Sequence, residues 1–303
     1  MVYVEAFITK GKQYYRLVHT IRKGEKTTHK TKYIGKVLPP KERLEQLKRE
    51  FLRELIQGKY AHLSQEDVEQ LGEKRNIFQR AVKQLSKTEF AKQIEEFIIR
   101  FTYDSSKLSG VDITLRQTHL ILKEGIIPQE IKQLKTVKEI ENHQKGAVML
   151  TTYRGALTLE FIQKLHRILM NGVDDALAGK LRSELKRNVK IAGTSYVPPS
   201  WQTLEKEIAQ FFKWYKSEGR KLHPVELASL LHLKLVSLQP FVDGNSRIAR
   251  LLMNWVLWKK GYPPANLPVS DLEEYYKTLD LYQIERQEKP FVHYIKKYVL
   301  EQE

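Results

Sequence analysis

Cysteine is missing from all 303 residues, which excludes disulfides, thiolate zinc sites, iron–sulfur clusters and a cysteine nucleophile together. Long apolar runs are missing too. No stretch approaches the ~18 consecutive apolar residues of a membrane-spanning helix, so no membrane partner is expected. Met1 to Arg16 hold no apolar core followed by a small-residue cleavage site, which predicts no signal peptide and a cytoplasmic protein. There is no internal repeat and no low-complexity tract. What is present begins with apolar residues at 41 %, enough to bury a core and to exclude wholesale disorder. The length leaves room for about two domains. Basic residues outnumber acidic ones by 52 to 36, a net charge of +16 with a pI near 9.6. A field of that sign attracts nucleic acid, anionic lipid or nucleotide phosphates; spread evenly, it would only aid solubility.

The charge is not spread evenly. Residues 1–36 hold nine basic side chains against Glu5 and Glu25, a local net charge of +7. Their β-branched and aromatic residues predict strands over Val2–Ile8, Tyr14–Arg22 and Thr27–Ile34, with turns at Gly11 and Gly24. A three-stranded meander of this size needs something to pack on. Two readings of its aromatics, Tyr3, Phe7, Tyr14, Tyr15 and Tyr33, stay open. They stack bases while the lysines meet phosphates, making nucleic acid a partner, or they pack the meander onto helices.

Pro39-Pro40 ends the module, and helical spacing takes over. Leu44, Leu47, Phe51 and Leu55 form one stripe, stopped by Gly58; Ile77, Phe78, Ala81 and Leu85 follow, then Phe90, Ile94, Phe97 and Phe101. Thr114 with Gln117 predicts a capping box before Leu115–Glu124, closed by Gly125. Thr158 opens a helix ending near Asn171-Gly172, Ser200 one ending at Gly219, and Pro224 one running to Leu238; Ser270 with Glu273 predicts another capping box. Between them, Val189–Ile191 and Ser195–Val197 flank Gly193 and predict a hairpin, followed by Pro198-Pro199. The expected fold is mainly α, with one internal hairpin and a basic β appendage. The expected divisions are a basic β module over 1–38, a helical connector over 39–102 and a helical domain over 103–303.

The stretch that carries chemistry is Gln239-Pro240-Phe241-Val242-Asp243-Gly244-Asn245-Ser246-Arg247-Ile248-Ala249-Arg250, between two apolar helices. A loop ending in Gly-Asn at a helix start aims several backbone N–H groups at one spot, where the helix dipole favours an anion. Arg247 and Arg250, three apart, share a helix face. Asp243 is a hard oxygen ligand suited to Mg²⁺ on phosphate oxygens. Together they predict a triphosphate cradle; taken singly, each residue also suits an ordinary helix–loop–helix.

This stretch resembles the signature of the Fic (Fic/Doc) family, HPFxxGN[GK]RxxR between two helices. His223-Pro224-Val225-Glu226, Leu230-Leu231-His232, Leu251–Asn254, Leu165–Met170 and Ala178–Arg182 are similar to the family core, so the resemblance runs from about Tyr103 to the C-terminus. It implies a Fic-type helical bundle that transfers AMP from ATP to a protein hydroxyl, or in some members moves another phosphate-linked group. Gly244, Asn245 and Ser246 would form the phosphate hole, Asp243 would hold Mg²⁺, and Arg247 and Arg250 would neutralise the β- and γ-phosphates. Lys190, Ile191, Ala192 and Gly193 would form a flap that docks an extended, unidentified protein target by strand addition.

Two positions depart from the family pattern. The catalytic histidine falls on Gln239, whose carboxamide has no basic nitrogen; losing a general base typically costs on the order of 10² to 10⁴ in rate. His232, seven residues earlier on the same helix and ~10 Å away, reads as a core histidine, as do His166 and His223. Ser246 replaces a glycine and could donate to a phosphate or crowd it. The run Ser105-Ser106-Lys107-Leu108-Ser109-Gly110 is similar to the family's inhibitory motif, but Ser109 stands where a glutamate would pair with the second arginine. In members that remove AMP, that glutamate also positions the attacking water. Three functions are therefore carried forward: a nucleotide-binding Fic-type protein with weak or absent transfer, a working transferase using another base, and a nucleic-acid-binding protein acting through residues 1–36. A homo-oligomer is compatible with all three.

Overall fold

The computed structural model describes residues 2–23, 26–57 and 60–302. Gly24 and Gly58, expected to close a turn and a helix, lie outside the described residues. The chain divides into two compact units, residues 1–69 and 70–303.

In the first unit, β1 (Val2–Thr9), β2 (Lys12–Lys23) and β3 (Lys26–Gly35) form an antiparallel sheet in sequence order. Lys10 and Gly11 both adopt positive φ, 49° and 71°, the geometry of a tight hairpin whose twist matches its strands. One face of the sheet packs on α1 (Lys41–Gln57): Val2, Leu17 and Phe51 are buried, flanked by Val4, Ile34, Leu44, Leu47, Leu52 and Leu55. The small sheet thus finds its support in the leucine stripe that follows it.

α2 (Gln65–Gln84) begins in the first unit and runs into the second. The rest of the second unit is helical: α3 (Lys87–Lys107), α4 (Leu115–His119), α5 (Leu134–Thr152), α6 (Leu159–Met170), α7 (Leu204–Glu218), α8 (Pro224–Leu238), α9 (Asn245–Lys259), α10 (Leu272–Glu285) and α11 (Lys289–Glu301). α8 and α9 form the centre, with α3, α5 and α6 against α9, and α7, α10 and α11 against α8. Nearly every residue of both central helices is buried; α8 is largely apolar, whereas α9 also buries Asn245, Arg247, Arg250 and Asn254. The Thr114–Gln117 capping box forms, and α4 continues through a wider π-turn, Leu120–Glu124, to Gly125 at φ 65°.

Three local expectations are corrected. The stretch from Asn188 to Pro199 is an extended loop turning at Ala192-Gly193; the N-terminal sheet is the only sheet among the described residues, and the arms exchange no ladder hydrogen bonds. Its polar groups bond outward instead, Thr194 Oγ1 to Asp280 at 2.6 Å and Tyr196 OH to the Ser237 carbonyl at 3.1 Å. Ser200 opens a turn, and α7 starts at Leu204. Ser270 and Glu273 form no capping box, because a 3₁₀ turn over Val269–Asp271 places Asp271 at the cap of α10.

Candidate active site

α8 ends where Gln239 takes a left-handed backbone, φ 48°, a conformation that costs a non-glycine residue about 1 kcal/mol. Its side chain is held at both ends. The carboxamide NH₂ donates to the Val236 carbonyl at 2.8 Å, and Oε1 accepts from the Asn245 amide at 2.6 Å. Asn245 also staples the loop to itself: its amide donates to the Phe241 carbonyl at 2.8 Å and Oδ1 accepts the Phe241 N–H at 2.9 Å. Phe241, fully buried, stacks flat on His166 with centroids 3.7 Å apart.

His166 has a defined tautomer. Nδ1 accepts the Gly179 N–H at 2.9 Å, so Nε2 carries the proton and donates to the Asp243 carbonyl at 3.1 Å. Burial lowers its pKa to about 4, keeping it neutral, so it orients the loop rather than moving protons. Gly244, at φ 78°, takes the turn into α9 in a conformation that glycine alone reaches without strain.

At the α9 N-terminus no side chain caps the helix. The Gly244 N–H bonds Asp243 Oδ1 at 2.5 Å, but the N–H groups of Asn245, Ser246 and Arg247 find no acceptor among the described residues. Unpaired amides at the positive end of a 15-residue helix suit an anion. The two arginines beneath differ. Arg247, 4 % exposed, pairs with Glu139 at 3.2 Å and Asp243 at 3.3 Å. Arg250, fully buried, has only neutral partners: Ser105 Oγ at 2.9 Å, the Ser105 carbonyl at 2.7 Å, Ser109 Oγ at 2.7 Å and Tyr275 OH at 3.3 Å. Tyr275 OH in turn lies 3.1 Å from His232 Nε2. Burial, with the Arg250 charge second, pushes the His232 pKa well below its usual value. His232 is therefore a buried neutral partner of this network, and His223 caps α8 and bonds Tyr262. A cleft of about 610 Å³ opens beside the two arginines' partners, lined by Ser109, Gly110, Thr114, Gln117, Thr136 and Glu139.

The structure thus brings Gln239, Asp243, Gly244, Asn245, Ser246 and Arg247 together at one helix start. It sets Ser105 and Ser109 on Arg250, with Gly110 following at φ 83°. Lys190, Ile191, Ala192 and Gly193 sit in the loop that Arg182 ties to the site. Arg182, fully buried, donates to the Gln239 carbonyl at 2.6 Å, to Leu238 at 3.3 Å and to Pro199. Its cation rests on the carbonyl end of α8, where the helix dipole is negative. Sequence reasoning missed the roles of Glu139, Arg182 and Tyr275. None of the three had a local signal: Arg182 reaches carbonyls 17 to 57 residues away, and Glu139 and Tyr275 lie 108 residues before and 25 after the arginines they touch.

The helical core agrees with what comparison with known proteins finds. The chain belongs to the Fic/DOC family, whose family model matches residues 156–257. It is 34 % identical over 211 residues to the protein adenylyltransferase Fic of Drosophila grimshawi, covering 66 % of this chain and 41 % of that protein. The match to the same-named protein of Drosophila melanogaster is also 34 %, covering 40 % of that protein. The chain spans about two fifths of the length of these curated relatives. A Fic-domain-containing signaling protein from Bacteroides thetaiotaomicron superposes with TM-score 0.68 at 30 % identity, covering 77 % of this chain and 94 % of that one. Fic-1 from C. elegans shares the fold, with TM-score 0.65 at 23 % identity, covering 86 % and 72 %. Among the described residues, no helix is long and apolar enough to cross a membrane.

Proposed function

We propose that this chain binds ATP with its phosphates on the α9 N-terminus, Arg247 and Arg250, and that AMP transfer is weak or absent because position 239 carries no base. Transfer would form a bond from a target hydroxyl to the α-phosphorus and release pyrophosphate, and the hydroxyl proton must go somewhere. The observation that carries this reading is the state of Gln239. Its Oε1 accepts from Asn245 and its NH₂ donates to Val236, and neither atom of a carboxamide is basic enough to take up a hydroxyl proton at neutral pH.

The residues present fit the nucleotide and its metal. The unpaired amides of residues 245–247 and the buried, carboxylate-free Arg250 call for an anion. The Asp243 side chain is half exposed, and no group of three acidic, histidine or cysteine residues among the described residues could hold a metal alone. Mg²⁺ would therefore rest on Asp243 and on phosphate and water oxygens, where it neutralises charge on the phosphates. An unidentified protein target would dock along Lys190–Gly193 by backbone pairing, since that loop's arms leave their ladder groups unused.

Gln239→His tests the reading. Intact-protein mass spectrometry after incubation with Mg²⁺ and ATP should show AMP on the single mutant, none on wild type, and none on Gln239→His with Arg250→Ala. Calorimetry should show ATP binding by wild type, weakened in Arg250→Ala by roughly 2–3 kcal/mol. Modification of wild type would establish a working base elsewhere. A silent Gln239→His that still binds ATP would move the lesion to Ser246.

A further inference from the structure

The N-terminal sheet has two faces, and the site just described uses neither. One face packs on α1 through Val2, Val4, Leu17 and Ile34, all aliphatic. Of the five aromatics of residues 1–36, Tyr15 shares that side of β2 with Leu17, cross-strand from Ala6, so it alone follows the packing reading of the sequence. The other four gather on the opposite face. Phe7 on β1 lies opposite Tyr14 on β2 with centroids 5.7 Å apart, and Tyr14 meets Tyr33 on β3 at 6.0 Å. Arg16, cross-strand from both Glu5 and Tyr33, places its guanidinium 4.9 Å over the Phe7 ring. Tyr3 belongs to the same face by strand alternation. Tyr33 is 57 % exposed and Tyr3 43 %. Cross-strand ring contacts stabilise a sheet, but that role does not need rings left half in water.

From this arrangement we infer that the aromatic face of the N-terminal sheet binds single-stranded nucleic acid. Three rings in a row across three strands make a stacking platform, and any unpaired base offers a face to it, whatever its identity. Duplex bases are already stacked on each other and expose no such face. The charge is complementary: net +7 in residues 1–36, with Lys12 on the aromatic face and Lys10 and Lys36 exposed beside it. A proline-rich peptide also docks on aromatic grooves but would draw nothing from that charge. An anionic bilayer would use the charge but not a row of rings in contact across three strands.

Fluorescence anisotropy of the full chain with a labelled oligothymidylate or oligouridylate of about 15 nucleotides tests the inference. The matching duplex and vesicles of phosphatidylserine in phosphatidylcholine serve as competitors. Wild type should prefer the single strand to the duplex, with affinity falling steeply as salt rises. Tyr33→Ala and Phe7→Ala should each weaken single-strand binding roughly 5- to 100-fold, with the salt slope unchanged, while Tyr33→Phe keeps the affinity. Lys12→Gln should instead lower the salt slope by about one. Should Phe7→Ala unfold the sheet by circular dichroism, the exposed Tyr33→Ala and Tyr3→Ala decide. Wild-type affinity in those variants would overturn the inference, as would equal binding of duplex, or vesicle binding insensitive to Tyr33.

Discussion

Around the loop that joins α8 to α9, polar groups point inward and are spent on each other. Asn245 closes the loop, Arg182 grips three carbonyls, and His166 is held at both ring nitrogens. In the N-terminal sheet the arrangement is reversed: aliphatic residues make the face packed on α1, and the opposite face, though Val18 is buried in it, turns Tyr3 and Tyr33 outward. The first region derives its precision from buried bonds that each need a partner, so single substitutions there should be costly. The second rests on a small core, and its exposed side chains should be exchangeable at little cost to folding.

The largest effect that would break this contrast lies at Arg182. Arg182→Ala strands the carbonyls of Leu238, Gln239 and Pro199 in a buried place, and urea denaturation should register a loss of about 3–5 kcal/mol. A loss under 1 kcal/mol would mean that water replaces the guanidinium and that the loop is not held from within.

Proton uptake tests the same region more gently. Burial holds His166 and His223 down to about 4 in the folded chain, while the unfolded residues titrate near 6.5. Below pH ~6.5 the unfolded chain takes up protons that the folded chain refuses. Stability from His166 should therefore be complete above that pH and decline as pH falls toward 4, by on the order of 3 kcal/mol. Denaturation midpoints of His166→Gln should show a shallower slope across that window; an unchanged slope would place the titration elsewhere.

A smaller effect separates the two arginines. Glu139→Gln removes the carboxylate that competes for Arg247 and should tighten ATP binding roughly tenfold, about 1.4 kcal/mol. Ser109→Glu should do the opposite by giving Arg250 the counter-ion it lacks. Calorimetry in which both variants match wild type would show that neither arginine meets phosphate. The smallest effect is expected on the sheet: Tyr33→Ala should cost under about 1 kcal/mol of stability, whatever it does to ligand binding.

Much of this was legible along the chain. The Pro224–Leu238 helix, the Thr114 and Thr158 caps, the three strands and the cradle sequence over residues 239–250 each rest on residues close to one another in sequence. Local propensity, capping and hydrophobic period act within a few residues, so a reading of neighbours reaches them. The Asn188–Pro199 hairpin was misread for a related reason: alternation around a glycine satisfies the local signal. Yet Thr194 and Tyr196 found partners on Asp280 and Ser237, far along the chain.

The amino-acid sequence by itself determined that the chain is mainly helical, that a basic sheet precedes the helices, and that Gln239 stands just ahead of a Gly-Asn helix start. Only the tertiary structure decided which groups the two arginines touch. Glu139 reaches Arg247 across 108 residues, and Ser105 and Ser109 reach Arg250 across 145 and 141. It alone decided that the rings of Phe7, Tyr14 and Tyr33 face away from α1. Both outcomes depend on which surfaces are buried against which, and burial is a property of the packed chain: the same side chain is solvated or trapped according to what folding places beside it.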